Sequence, residues 1–341
     1  MKRFDYKTII GHELVCEKLQ QAVKSGRTVS AYVLSGAAGI GKKTVCRAFT
    51  AALLCETPVN GNACGVCESC RLLAADSHPD CIHLLLPEDK KTIGVDLVRD
   101  VLIKEASIKP FTSGRKVFIV NDADTMTVQA QNALLKVLEE PPQYAVFILL
   151  SQNKEALLDT VLSRALKLQL LPLPLRLCEG YFKTEQDVDA TRLAFVSRFC
   201  QGVLGRGKRM LGDDAYYDLY QSTVQQLASF HKSDAAFTDM QRFLTDQKEQ
   251  VNDITDFMLL FLRDCLRMHT SGIEKMICID HKTAVQQLSR ALEPASFVRM
   301  MEAVIKYRER LQKNANFTAA SLELMCVIQE EIHDKSSRNP L

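Results

Sequence analysis

Short apolar runs and helical periodicities alternate along the first half of the chain. Ala31-Tyr32-Val33-Leu34-Ser35, Cys81 to Leu86, Val117 to Val120 and Val146 to Leu150 are nearly continuous apolar stretches, the pattern of strands buried on both faces. Between them, Glu13 to Ser25, Lys42 to Leu54, Val95 to Ala106 and Val128 to Leu138 place apolar residues at helical spacing, as at Val45, Ala48, Phe49, Ala52 and Leu53. The alternation predicts an α/β domain with a parallel sheet covered by helices on both faces. Past about residue 170 the strand character stops. Pro172 and Pro174 mark a hinge, and the apolar positions then follow a helical period, as at Leu193, Val196 and Phe199 or Ile254, Phe257, Phe261 and Cys265. The predicted organisation is therefore α/β followed by all-α: a sheet domain over 1–170, a small helical lid over 171–210, a helical domain over 211–334, and a disordered tail over 335–341.

The first strand leads into Gly36-Ala37-Ala38-Gly39-Ile40-Gly41-Lys42-Lys43-Thr44, and a helix follows. That is the order of a phosphate-binding loop, in which backbone N–H groups cradle phosphates, a lysine reaches the outer phosphate oxygens and a hydroxyl ligates Mg²⁺. Gly36, Gly39, Gly41 and Lys42 fit these roles. The hydroxyl position, however, is Lys43, an ammonium that would repel the metal, and Thr44 lies about 100° further round the helix. The strand ending at Val120 is followed by Asn121-Asp122, where an active P-loop ATPase has an Asp for the metal and often a Glu to activate water. Asn121 is a poorer partner for magnesium than a carboxylate, and Asp122 is one methylene shorter than the usual base. The expected site is a degenerate one, where ATP binding is doubtful and no intrinsic ATPase activity is expected.

Cys55, Cys64, Cys67 and Cys70 form C-x8-C-x2-C-x2-C among loop residues such as Pro58, Asn60, Gly61 and Gly65. The spacing suits tetrahedral Zn²⁺, and four thiolates leave no open coordination position, so a structural ion is predicted rather than a catalytic one. The other eight of the twelve cysteines are scattered and read as core residues.

The chain has 341 residues, 47% of them hydrophobic and 25% charged, which allows two or three domains. A formal net charge of +2 is too small for a free-standing nucleic-acid binder, so any DNA contact is expected to be shared with partners. No apolar run approaches the roughly 20 residues that cross a bilayer. Asp5 and Lys7 interrupt any signal-peptide core, and the expected location is cytoplasmic.

The segment Gln131-Asn132-Ala133-Leu134-Leu135-Lys136-Val137-Leu138-Glu139-Glu140-Pro141-Pro142, together with His78-Pro79-Asp80, the four-cysteine insert and Leu162-Ser163-Arg164, closely resembles the delta-prime family of bacterial clamp-loader subunits of DNA polymerase III. The resemblance covers nearly the whole chain and is sharp from Ile10 to Leu170. It implies an AAA+ ATPase-like domain, a helical lid and a helical collar packed into a five-membered ring with tau/gamma-type ATPase subunits and a delta subunit. Such a ring opens a sliding clamp and loads it on primed DNA as part of a polymerase holoenzyme. The resemblance also implies that Arg164 is an arginine finger offered in trans to a neighbour's ATP, although Ala165 stands where the family usually has Cys. The family's sensor arginine falls where this chain has Gly205, with Arg206, Lys208 and Arg209 read as a solvated basic turn. Gln131, Asn132 and Lys136 become candidates for DNA contact on the exposed side of their helix. Two other readings stand beside this one. A working ATPase motor of the same superfamily would need Ser or Thr at position 43 and Asp at 121, and a zinc-containing nucleic-acid-binding module would need a more basic chain and exposed aromatics near the cysteines.

Overall fold

The computed structural model describes residues 4–112, 114–184, 188–230 and 235–333. The tail expected over 335–341 lies outside them. The chain divides into two compact units, one holding the residues up to Tyr181 together with Gln201–Gly205, the other holding Phe182–Cys200 and the chain from Arg206 on.

The first unit is built on five parallel strands, β1 (Ala31–Ser35), β2 (Cys81–Leu84), β3 (Lys116–Val120), β4 (Ala145–Ser151) and β5 (Leu166–Gln169), in the spatial order β2-β3-β4-β1-β5. Val33 of β1 pairs with Leu149 of β4 and with Lys167 of β5. The three central strands are buried along their full length, which is why they read as continuous apolar runs. Alternate residues feed two cores. Tyr32, Leu34, Val117, Ile119, Val146 and Ile148 meet the helices Glu13–Lys24 and Lys42–Leu54 on one face. Val33, Phe118, Val120, Phe147 and Leu149 meet Leu102, Ala130, Leu134 and Leu138 on the other. Phe118 and Phe147 stack with ring centroids 4.8 Å apart, and Tyr32 meets Phe49 edge-on at the same distance on the opposite face.

Two elements depart from the sequence reading. Strand β5 is absent from the sequence reading: its Leu-Lys-Leu-Gln alternation is only four residues long, and of these only Leu168 is buried. The helix expected over Val95–Ala106 contains a π-helical stretch, Val98–Ile103, between two short α-helical ends.

The second unit is helical. Its main helices are Ala190–Phe199, Asp214–Ser229, Ala235–Asp246, Val251–Met268, Lys282–Ala291, Pro294–Gln312 and Phe317–His333. Tyr220 stacks on Phe195 at 4.3 Å and meets Phe257 edge-on at 5.4 Å. Asp264 is fully buried, and its Oδ2 accepts the backbone N–H groups of Ile277 at 2.6 Å and Cys278 at 2.7 Å, tying a loop to the long helix Val251–Met268. No helix among the described residues is long and apolar enough to cross a membrane.

Candidate functional site

The phosphate loop lies between β1 and the helix Lys42–Leu54, and Gly36, Gly39 and Gly41 adopt φ of 151°, 79° and 113°. Those values favour glycine over residues with a side chain. Lys42 is buried and folds back on its own loop, its Nζ donating to the carbonyls of Gly36 at 2.6 Å and Ala37 at 3.0 Å. Burial pulls the Lys42 pKa down, and the carboxylates of Asp124 and Asp122 pull against it. The lysine expected to meet a phosphate is thus satisfied by backbone oxygens. Lys43 and Thr44 at the helix start are both exposed.

Gly205 closes on the same loop. Its N–H donates to the Gly39 carbonyl at 3.0 Å, and Leu173 donates its N–H to Gly202 at 2.9 Å, fixing the approach of that segment. His12, left-handed at φ 62°, holds the other side with Nε2 3.2 Å from the Ile40 carbonyl. Asn121 at the end of β3 is buried, its Nδ2 turned to the Leu84 carbonyl at 3.5 Å.

The four-cysteine insert comes together as its spacing predicts. Cys55 ends the helix Lys42–Leu54, Cys67 caps the start of helix Glu68–Ala74, and all four ligand sulfurs lie within 4.8 Å of one another. Cys55 and Cys67 sulfurs are 3.9 Å apart and those of Cys64 and Cys70 are 4.0 Å apart. Zn–S bonds of about 2.3 Å put the edge of a sulfur tetrahedron near 3.8 Å, so the geometry fits one ion. The cluster is also wired to accept negative charge. Cys55 Sγ accepts the Cys64 N–H at 3.2 Å, and the Sγ atoms of Cys64 and Cys67 accept the N–H groups of Cys67 and Cys70 at 3.4 Å. At Cys64 burial opposes ionisation, but N–H groups of Val66 and Cys67 outweigh it and hold the thiol at about 6. Burial pushes Cys55 and Cys70 upward.

Arg164 follows the short helix Asp159–Ser163. Its guanidinium reaches Glu139 Oε1 at 2.8 Å and the Thr160 carbonyl at 3.1 Å, with 37% of the side chain exposed. The helix Val128–Glu139 corrects one expectation. Gln131 does not face solvent: it is buried, its Nε2 donates to Met126 and Ala156 carbonyls at 3.2 and 3.1 Å, and its Oε1 accepts the Leu158 N–H at 2.8 Å. A buried amide that makes three hydrogen bonds is a structural tie. Asn132 and Lys136 are exposed. A second correction concerns Arg206 and Arg209, which lie on the helix Leu204–Gly212 rather than in a turn. Arg209 pairs with Asp253 at 2.9 Å and stacks 3.8 Å over Tyr216, while Arg206 sits 5.3 Å over Phe199.

His78-Pro79-Asp80 acquires a role that the sequence does not reveal. Asp80, fully buried, accepts the N–H groups of Phe111 at 2.7 Å and Thr112 at 2.9 Å, and His78 Nδ1 accepts the Asp80 N–H at 3.1 Å. The motif anchors the loop that leads into β3.

The profile of a family described as DNA polymerase III, delta subunit, matches residues 11–174, and that of DNA polymerase III, delta subunit, C terminal, matches residues 215–328. DNA polymerase III subunit delta' of Pseudomonas aeruginosa is 44% identical over 147 residues, 42% of this chain and 43% of the relative. The Escherichia coli subunit delta' is 29% identical over 295 residues, 86% of each chain. DNA polymerase III subunit gamma/tau of Mycobacterium bovis is 33% identical over 214 residues, 63% of this chain and 33% of the relative.

Proposed function

The chain belongs to the delta-prime family of DNA polymerase III subunits, and from that premise we propose that it works as a clamp-loader subunit that has lost its own ATP hydrolysis and serves a neighbour's. The observation that carries the reading is the phosphate loop. Lys42 is engaged by Gly36 and Ala37, Gly205 packs on Gly39, and the two positions that would hold magnesium carry Lys43 and Asn121. Lys43 and Asn121 deprive a magnesium ion of its partners and Gly205 stands in place of a sensing arginine, whereas Lys42 keeps the loop's phosphate position.

In this reading the α/β unit and the helical unit correspond to the AAA+ domain, lid and collar of a hetero-pentamer with tau/gamma-type ATPases and a delta subunit. Arg164 offers its guanidinium in trans, and sliding clamp and primer-template DNA are met through the complex, with Asn132 and Lys136 as candidate DNA contacts. The four cysteines hold a structural Zn²⁺, which when bound supplies a cross-link and no reaction step. The similarity to gamma/tau sequences fits a subunit built like the motors beside it.

Reconstitution tests the proposal. Mixed with its partner subunits, the purified chain should enter one stoichiometric complex whose loading of a clamp on primed DNA depends on it, and alone it should show no Mg²⁺-dependent ATP turnover. Turnover by the isolated chain at the rate of an active loader motor would instead favour the working-ATPase reading.

A further inference from the structure

Helix Lys42–Leu54 lies over β1, β3 and β4. Beside it, toward the edge strand β2, is a cavity of about 280 Å³ that Lys43 lines from the end of the phosphate loop, while no loop glycine does. Lys43, Cys46, Arg47 and Thr50, spaced at three and four residues, present one helix face to it. Alternate residues of the sheet form its floor, Cys81 and His83 from β2 and Ile119 from β3, with Asn121 just past the end of β3.

The charges around this cavity do not cancel. Arg47 is paired with Asp76 at 2.9 Å, whereas Lys43 makes no ion pair among the described residues. Burial pulls the His83 pKa down, Asp76 opposes that, and Arg47 and Lys43 push it further down, so the imidazole adds no charge near neutral pH. Asn121 is neutral. Leu73, Leu85, Ile119 and Leu150 supply apolar surface, and Cys46, Thr50 and Cys81 complete the lining. A hydroxyl at position 43 and a carboxylate at 121 would make this corner attractive to a cation. Lys43 and Asn121 reverse that preference, leaving one ammonium and the second N–H of an amide whose first is turned to the Leu84 carbonyl at 3.5 Å.

Soft donors are present but too few for a metal. Cys81 Sγ lies 3.4 Å from His83 Nε2, yet among the described residues only the four-cysteine cluster gathers three or more candidate ligands. The volume is below the usual range for drug-sized ligands, so the occupant is a single ring or short chain rather than a nucleotide.

We propose that the cavity between helix Lys42–Leu54 and strands β2 and β3 binds a small organic monoanion without metal, its anionic head on Lys43 and Asn121 and its apolar body against Leu73, Leu85, Ile119 and Leu150. The proposal does not rest on the clamp-loader reading, since neither Lys42 nor a loop glycine lines the cavity.

The test uses the full chain with labelled methyl groups, titrated with benzoate as probe and with benzylamine as a cation of the same size. Benzoate should shift the methyl signals of Leu73, Leu85, Ile119 and Leu150 saturably, and benzylamine should not. Lys43→Gln should weaken benzoate about tenfold, the loss of a charge-assisted hydrogen bond, with the remaining methyl spectrum unchanged as a folding control. Lys42→Ala should leave the affinity as it was. Absence of a saturable shift with benzoate, equal binding of benzylamine, or undiminished binding in Lys43→Gln overturns the proposal. Loss of binding in Lys42→Ala overturns it too, by assigning the anion to the phosphate loop.

Discussion

Gly205 donates its backbone N–H to the carbonyl of Gly39 at 3.0 Å, and neither residue has room for a side chain between them. A Cβ built on Gly205 would lie 2.6 Å from Gly39 Cα and 2.8 Å from Gly39 O. The glycine at position 205 therefore has a packing role of its own: it lets backbone meet backbone and ties its segment to the loop.

Gly205→Ala should lower stability by about 1–3 kcal/mol, the cost of forcing an extra carbon into a packed contact. Alanine's helical preference of roughly 1 kcal/mol over glycine offsets only part of this. Urea unfolding followed by circular dichroism would measure it. A variant as stable as the wild type would mean that Gly39 and Gly205 do not meet this closely in solution.

Elemental analysis should find one zinc per chain, and Cys67→Ser should lose it. Because metal binding and local folding are coupled, a chelator should expose the segment from Cys55 to Cys70 to protease while the helix Lys42–Leu54, whose inner face lies in the sheet core, stays protected. Wild-type protein free of zinc, or zinc retained in Cys67→Ser, would refute the four-sulfur site.

His78 should make the sheet unit lose stability as the solution becomes mildly acidic. It is buried, its Nδ1 accepts the Asp80 N–H, and its Nε2 has no hydrogen-bond partner, so burial holds its pKa below the ordinary 6.5. The unfolded chain takes up a proton near 6.5 and the folded one only lower. The contribution is therefore complete above 6.5 and lost as pH falls toward the folded pKa. Unfolding midpoints between pH 7.5 and about 5 should fall more steeply in the wild type than in His78→Asn. His281 in the helical unit is also shifted down by burial and has the same sign, so the difference between wild type and variant isolates His78. Parallel profiles would contradict this.

What the sequence disclosed was whatever local chemistry controls. The runs at Ala31–Ser35 and Val117–Val120 announced strands because both their faces are buried, and the four cysteines announced a cluster because ligand spacing is set along the chain. The phosphate loop was legible for the same reason. Contacts made by chain reversal were not: nothing near Lys42 indicates that its ammonium turns onto Gly36 and Ala37, nor that Glu139 meets Arg164. Gln131 misled because an amide on a helix looks solvated until the segment around Leu158 packs over it. The cavity beside Lys43 draws on three strands and two helical segments, and no window of sequence contains it.

The last prediction concerns Arg164 and its tether. The pair with Glu139 leaves a third to a half of each side chain exposed, 37% and 50%, and such pairs contribute roughly 0–1 kcal/mol. Glu139 and the Thr160 carbonyl thus orient the guanidinium without retaining it, and in the proposed role it would pass to a neighbour's γ-phosphate at little cost. A finger in trans is worth roughly 10³–10⁵ in rate at the site it serves. Arg164→Ala should leave folding and complex assembly intact and remove that site's share of DNA-stimulated ATP hydrolysis. Arg164→Lys should recover little, since an ammonium lacks the planar fork. Glu139→Gln and Lys42→Ala should stay close to wild type. Full hydrolysis in the assembled Arg164→Ala complex would leave the arginine as Glu139's surface partner and nothing more, and equal losses from Arg164→Ala and Lys42→Ala would point to a working site within this chain.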